Sequence, residues 1–148
     1  MTHPYIEHLL KDHKKQRKLE KKLVKAETRE DKEKFRQKLF DALRPHIEGE
    51  DASIFKYLVE QGGEAKADAL EAMQEHHLDK VLLTELMKLD VNDENFIPKA
   101  KVLKEVNNHH LKEEEEEHFP RLESLADKEK LDFLFEAYEK AEHEFKGE

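Results

Sequence analysis

His46 stands four residues before Glu50, and His110 stands four residues before Glu114. On a helix that spacing stacks both side chains on one face, one turn apart. An imidazole nitrogen and a carboxylate oxygen so placed form a ligand pair for a transition metal. The second pair lies in the stretch 106–120, which also carries five consecutive glutamates, Glu113 to Glu117. Alone, such a run reads as a solvated acidic face. The repetition speaks for chemistry, because an aromatic residue follows nine positions after each histidine, Phe55 and Phe119.

The elements that must position these pairs follow from composition. The chain has 148 residues, enough for a single domain (1–148) with one core. Gly and Pro number 4 each, and 43% charged with 36% hydrophobic residues fits amphipathic helices better than a sheet. Lys+Arg 27 against Asp+Glu 36 gives −9, which argues against nucleic-acid or anionic-membrane partners. The basic run from His13 to Lys25 reads as the wet face of a helix. Without cysteine, thiolate sites, iron–sulfur clusters and cysteine nucleophiles are excluded, which leaves the 10 histidines and the carboxylates as site chemistry. The opening residues form no apolar leader and no stretch reaches membrane-spanning length, so the expected location is the cytoplasm.

Apolar periodicity predicts a first helix from about Tyr5 to Val24 and a second, capped by Thr28, running unbroken to about Glu60 with a bend at Pro45. Gly62-Gly63 stops it. A third helix takes about Ala65 to Leu89, and a turn at 90–93 lets Asn92 or Asp93 cap a fourth, from Glu94 to about Leu125. Pro120 should kink or end that helix. A shorter fifth helix, about 128–146, closes one side. No period-2 segment is long enough for a strand. Short connections make neighbours antiparallel, so the expected class is all-α: an up-down four-helix bundle (about 5–125) with an additional C-terminal helix.

One histidine per bundle helix then falls at one level. Counted from turn centres near residues 27, 63 and 91, His13, His46, His76 and His110 differ by at most about 5 positions, roughly 7 Å at 1.5 Å per residue. Facing selects among neighbours. At about 100° per residue, His110 lies near Leu103 and Val106 with Glu114 beside it, while His109 turns toward Glu113 and Glu116. His76 lies near Leu83, Met87 and Ala69, while His77 turns toward Thr84 and Lys88. His118 reads as surface, and Tyr57 as core.

The combined pattern resembles hemerythrin-like proteins of the HHE cation-binding type. It reads Asp12-His13, His46…Glu50, Glu75-His76, and His110…Glu114 followed by Phe119-Pro120. The stretches 75–83 and 100–105 also look like that family's third and fourth helices. The resemblance spans about residues 5 to 125. It implies a non-haem di-iron centre, with His13, His46, His76 and His110 as terminal ligands. Glu50 and Glu114 would bridge the two Fe ions together with an oxygen species. Oxygen-carrying hemerythrins add a histidine one turn along the third helix, where this chain has Lys80 after His76 and Val81 after His77. That departure weighs against reversible oxygen carriage and leaves coordination positions open.

The leading expectation is therefore a soluble, monomeric di-iron binding protein that binds oxygen-derived small ligands or senses iron or redox state. An enzyme consuming peroxide or nitric oxide at the same ligands is the alternative. A metal-free helical adaptor is the third class. Zn, Mn or Ni can also occupy His/Glu sites, so sequence alone leaves the metal open.

Overall fold

The protein, described here over residues 2–148 from a computed structural model, contains no strand among the described residues. Helix α1 spans Pro4–Lys25, with Pro4 at the first helical position, where its missing N–H leaves no bond unmade. Helix α2 spans Arg29–Asp51, and the Thr28 side chain accepts from Asp31 N at 3.1 Å, as expected of the cap. Helix α3 is Ile54–Glu60 and α4 is Gly63–Lys88. Between them Gly62 and Gly63 take φ of 72° and 57°, values that side chains with a Cβ rarely adopt. Helix α5 is Phe96–Glu113, followed without interruption by a π-helical turn, Glu114–His118, and by α6, Phe119–Leu125. Helix α7 is Lys128–Lys146, capped by the Asp127 carboxylate, which accepts from Lys130 N at 2.8 Å.

Helices α1, α2, α4 and α5 pack in a closed ring, each against the next, and α7 lies along α2 and α1. This is the expected up-down four-helix bundle with a C-terminal helix. Its core has two apolar clusters. One gathers Tyr5, Leu9, Phe55, Ala72, Phe119 and Leu122. The other gathers Leu19, Leu39, Leu43, Leu83, Phe96 and Leu103. Helices α1 and α4 contribute to both, α3 and α6 only to the first, and α2 and α5 only to the second, and the histidines His13, His76 and His110 fall in sequence between residues of the two clusters.

Two local expectations need correction. The second helix does not run unbroken: Ala52 and Ser53 separate α2 from α3. Ser53 stands at φ −125°, ψ −91°, and its Oγ donates to Gly49 O at 2.7 Å and shares a 2.5 Å hydrogen bond with Tyr5 OH. Neither Asn92 nor Asp93 caps α5. Asp90 and Asp93 instead accept from Asn92 N and Asn95 N, each at 2.8 Å, so the link is two local side-chain turns and Asn95 begins the helix. Of the two outcomes expected at Pro120, a kink or an end, the end does not occur. A proline there clashes with the carbonyl four residues back, and the wide turn before it relieves that clash while the chain stays helical to Leu125.

The break and the wide turn have a common cause. Nine residues at 100° each leave Phe55 about 180° from His46, and Phe119 about 180° from His110, on an unbroken α-helix. Both aromatics are nonetheless buried, at 0% and 2% exposure. The chain corrects its phase by breaking at Ser53 in one case and by widening at 114–118 in the other.

Candidate metal centre

His13 from α1, His46 and Glu50 from α2, His76 from α4, His110 from α5 and Glu114 from the π-turn are all at most 1% exposed. They meet in one layer. His13 Nε2 is 3.2 Å from Glu114 Oε1 and 3.9 Å from Glu50 Oε2. His46 Nε2 is 3.1 Å from Glu50 Oε1. His76 Nε2 is 3.2 Å from Glu50 Oε1 and 3.7 Å from Glu114 Oε2. His110 Nε2 contacts Glu114 Oε2. The donor atoms form two overlapping groups, His13–His46–Glu50–Glu114 and Glu50–His76–His110–Glu114, each with its atoms within 4.8 Å of one another. Both glutamates belong to both groups. The helical phase correctly separated neighbours, for His77 and His109 are exposed.

The outer nitrogen of each ring is held by a carboxylate. His46 Nδ1 bonds to Asp12 Oδ2 at 3.1 Å, and His76 Nδ1 to Asp51 Oδ1 at 2.6 Å. His110 Nδ1 bonds to Glu75 Oε1 at 3.4 Å, and His13 Nδ1 to Glu115 Oε2 at 2.8 Å. Each of these carboxylates is the sequence neighbour of an inward-facing residue on the preceding helix of the ring. So α1 steadies α2, α2 steadies α4, α4 steadies α5, and the π-turn that follows α5 steadies α1. Arg17 grips Glu115 with both guanidinium nitrogens, at 2.8 and 3.0 Å. A carboxylate on the outer nitrogen fixes ring orientation and raises the basicity of the inner one, as metal-ligating histidines require.

The residues fit a cation by their unmet bonding. Nε2 of His13, His46 and His110 and both oxygens of Glu50 and of Glu114 are buried without a hydrogen-bond partner. Leaving so many polar atoms unpaired in an interior is costly, and a cation between them satisfies all of them together. Burial by itself would lower the pKa of His46, but Glu50 and Asp12 outweigh it and raise it to about 9. For His110 burial is likewise outweighed, by Glu114 and Glu75, giving about 9. His13 and His76 are also raised, for the same reason. Glu114 is held well below the usual carboxylate range: burial opposes this, but His110 and His13 prevail. Metal and protons therefore compete for the same nitrogens.

Phe119 stacks on the His13 ring at 5.4 Å, and Phe55 meets His76 edge-on at 5.3 Å. The two aromatics thus cover histidines of helices other than their own. Lys80 points away, toward Glu48 at 3.5 Å and Asp51 at 3.9 Å.

Three features differ from expectation or escaped it. His118 is buried at 3% rather than on the surface, edge-on to Phe55 at 5.4 Å. An i→i+5 turn advances less per residue, and that rotation brings His118 inward. Burial lowers its pKa, and its Nδ1 lacks a partner. Tyr57 packs against the first core cluster, as expected, partly buried and donating to Leu125 O at 3.2 Å. The tyrosine that reaches the site is Tyr138 of α7, whose hydroxyl lies 2.9 Å from His46 Nδ1 and donates to Asp12 Oδ2 at 2.7 Å. Its ring leans on Gly49, where an added Cβ would come within 2.5 Å of it. A polar layer also lies one turn from the centre. Asn107 donates to Gln16 Oε1 at 3.1 Å and to Glu20 Oε1 at 2.6 Å, and both Asp79 oxygens lack partners. Burial pushes the Glu20 carboxyl up to about 8 and that of Asp79 to about 7. Polar residues three positions from His13, His76 and His110 (Gln16, Asp79 and Asn107) were the available signal.

No helix among the described residues is long and apolar enough to cross a membrane. No curated protein and no solved structure matches the chain. A family model described as the Hemerythrin HHE cation binding domain matches residues 5–122, a span that contains all six of the converging histidines and glutamates. With that match over most of its length, the chain belongs to the hemerythrin HHE cation-binding family.

Proposed function

We propose that this protein holds a pair of iron ions in the buried layer and uses them to bind small oxygen-derived ligands or to report iron and redox state. His13 and His46 would serve one ion, His76 and His110 the other, and Glu50 and Glu114 both. The observation that carries this reading is the sharing of both glutamates by two His-rich groups, with their oxygens otherwise unpartnered. When bound, iron supplies open coordination positions and a change of oxidation state. The chain does the rest. Four outer carboxylates orient the rings, Phe55 and Phe119 cover them, and burial of at most 1% admits only a small ligand.

Turnover of peroxide is the second reading, and His118 is what favours it. Burial favours the neutral form of this ring, and its unpartnered Nδ1 is free to accept a proton. Protein made with excess iron, assayed for metal content and absorption and then for steady-state peroxide consumption, separates the two. Iron with no turnover supports the binding reading. Catalytic turnover that falls in His118→Leu supports the enzyme. Absence of any bound metal returns the domain to an adaptor role.

A further inference from the structure

Another imidazole–carboxylate pair with one-turn spacing lies outside the centre. His8 and Asp12 stand four residues apart on the outer face of α1, as His46 and Glu50 do on α2. Glu142 of α7 faces them, and the three side chains offer donor atoms all within 4.8 Å of one another. His8 Nε2 lies 3.5 Å from Asp12 Oδ2, without hydrogen-bonding geometry, and is enclosed with no partner. The His8 ring is set in place by Phe135 at 5.3 Å and by the edge of Tyr138 at 5.4 Å. The side chains are 35%, 26% and 17% exposed, so the group is open to water on one side only. It opens into a cleft of about 200 Å³ that Asp41 also lines.

We propose that His8, Asp12 and Glu142 form a separate site for a divalent first-row transition ion at the junction of α1 and α7. One imidazole nitrogen and two carboxylates suit Mn²⁺, Fe²⁺ or Zn²⁺, with water completing the coordination from the cleft. Lys146 now stands 3.8 Å from Glu142 Oε1 and gives way to the ion as that carboxylate's partner. The site shares Asp12 with the inner centre, because Asp12 Oδ2 also accepts from His46 Nδ1 and from Tyr138 OH. An ion there draws on the carboxylate that supports His46, so outer occupancy bears on the inner ring. Glu142 and Tyr138 lie beyond residues 5–122, so the site depends on the helix that the family match does not include.

The test titrates Mn²⁺ into protein loaded with iron and then treated with a chelator to clear the exposed outer group, and follows water proton relaxation, which reports ions that keep bound water. The wild type should take up one further equivalent. His8→Ala and Glu142→Gln should each lose it with helix content by circular dichroism unchanged, and Asp41→Asn in the same cleft should retain it. A wild type with no further equivalent overturns the site, as does retention in both ligand variants. Equal loss in Asp41→Asn also overturns it, since that marks diffuse attraction to an acidic cleft. A chain carrying His110→Ala and Glu114→Ala separates this proposal from the iron reading. It should still bind one Mn²⁺, and lose it when His8→Ala is added.

Discussion

Asp51 holds the outer nitrogen of His76 at 2.6 Å, while the residue before it, Glu50, lies 3.2 Å from the inner nitrogen of the same ring. Two adjacent residues of α2 thus grip one imidazole of α4 from both sides. Asp51→Asn keeps the shape of the contact but removes the charge that makes the ring basic. Metal affinity should fall by about 10–100-fold with the fold intact. Competition against a chelator of known affinity measures it, and unchanged affinity would mean that the outer carboxylate plays no part in binding.

Gly49 is present because Tyr138 occupies the space of a side chain. In Gly49→Ala the new Cβ would stand 2.5 Å from the ring, so α7 must shift. We expect a loss of about 1–3 kcal/mol in chemical denaturation, as for other overpacked contacts. The shift should also lengthen the Tyr138 hydroxyl bonds to Asp12 and His46. A variant as stable as the wild type would show that α7 is loosely seated.

Much of this was legible before the structure. The histidine layer depends on helix rise and turn positions, which the apolar stripes and Gly62-Gly63 mark well, and the inward choice of His76 and His110 depends only on helical phase. His118 was lost where that phase changes, because an α-helical count through 114–118 carries the wrong rotation. The aromatic nine residues after each histidine held the clue, since nine residues is half a turn out of register. Nothing in the local sequence around Tyr138 shows that its hydroxyl reaches across to Asp12. The outer ring of carboxylates was also missed. Its members sit beside the ligand residues in sequence, but each serves another helix, and that pairing exists only once the bundle is closed.

Glu20 sets a pH dependence whose sign can be stated. Burial raises its carboxyl from 4.5 to about 8, so in that window the native state keeps a proton that the unfolded chain has released. Stability due to the protonated form is present below the lower value and is lost as pH rises through the upper one. Glu20→Gln stays neutral and can still accept from Asn107. Its melting temperature should therefore gain on the wild type as pH rises from 4.5 to about 8 and level off above that. A constant difference across that range would mean that Glu20 is ionised throughout.

Iron content per chain tests the centre most directly. Protein loaded with excess iron and then freed by a chelator of loose metal, including any ion at the exposed His8–Asp12–Glu142 group, should carry two ions, one for each of the overlapping buried donor groups. His110→Ala and Glu114→Ala should fall well below that and lose the iron absorption band. His109→Ala and His77→Ala should keep both, with stability changed by less than about 0.5 kcal/mol, as at ordinary exposed positions. Two ions retained in Glu114→Ala would contradict the shared glutamate, and with it the paired-metal centre.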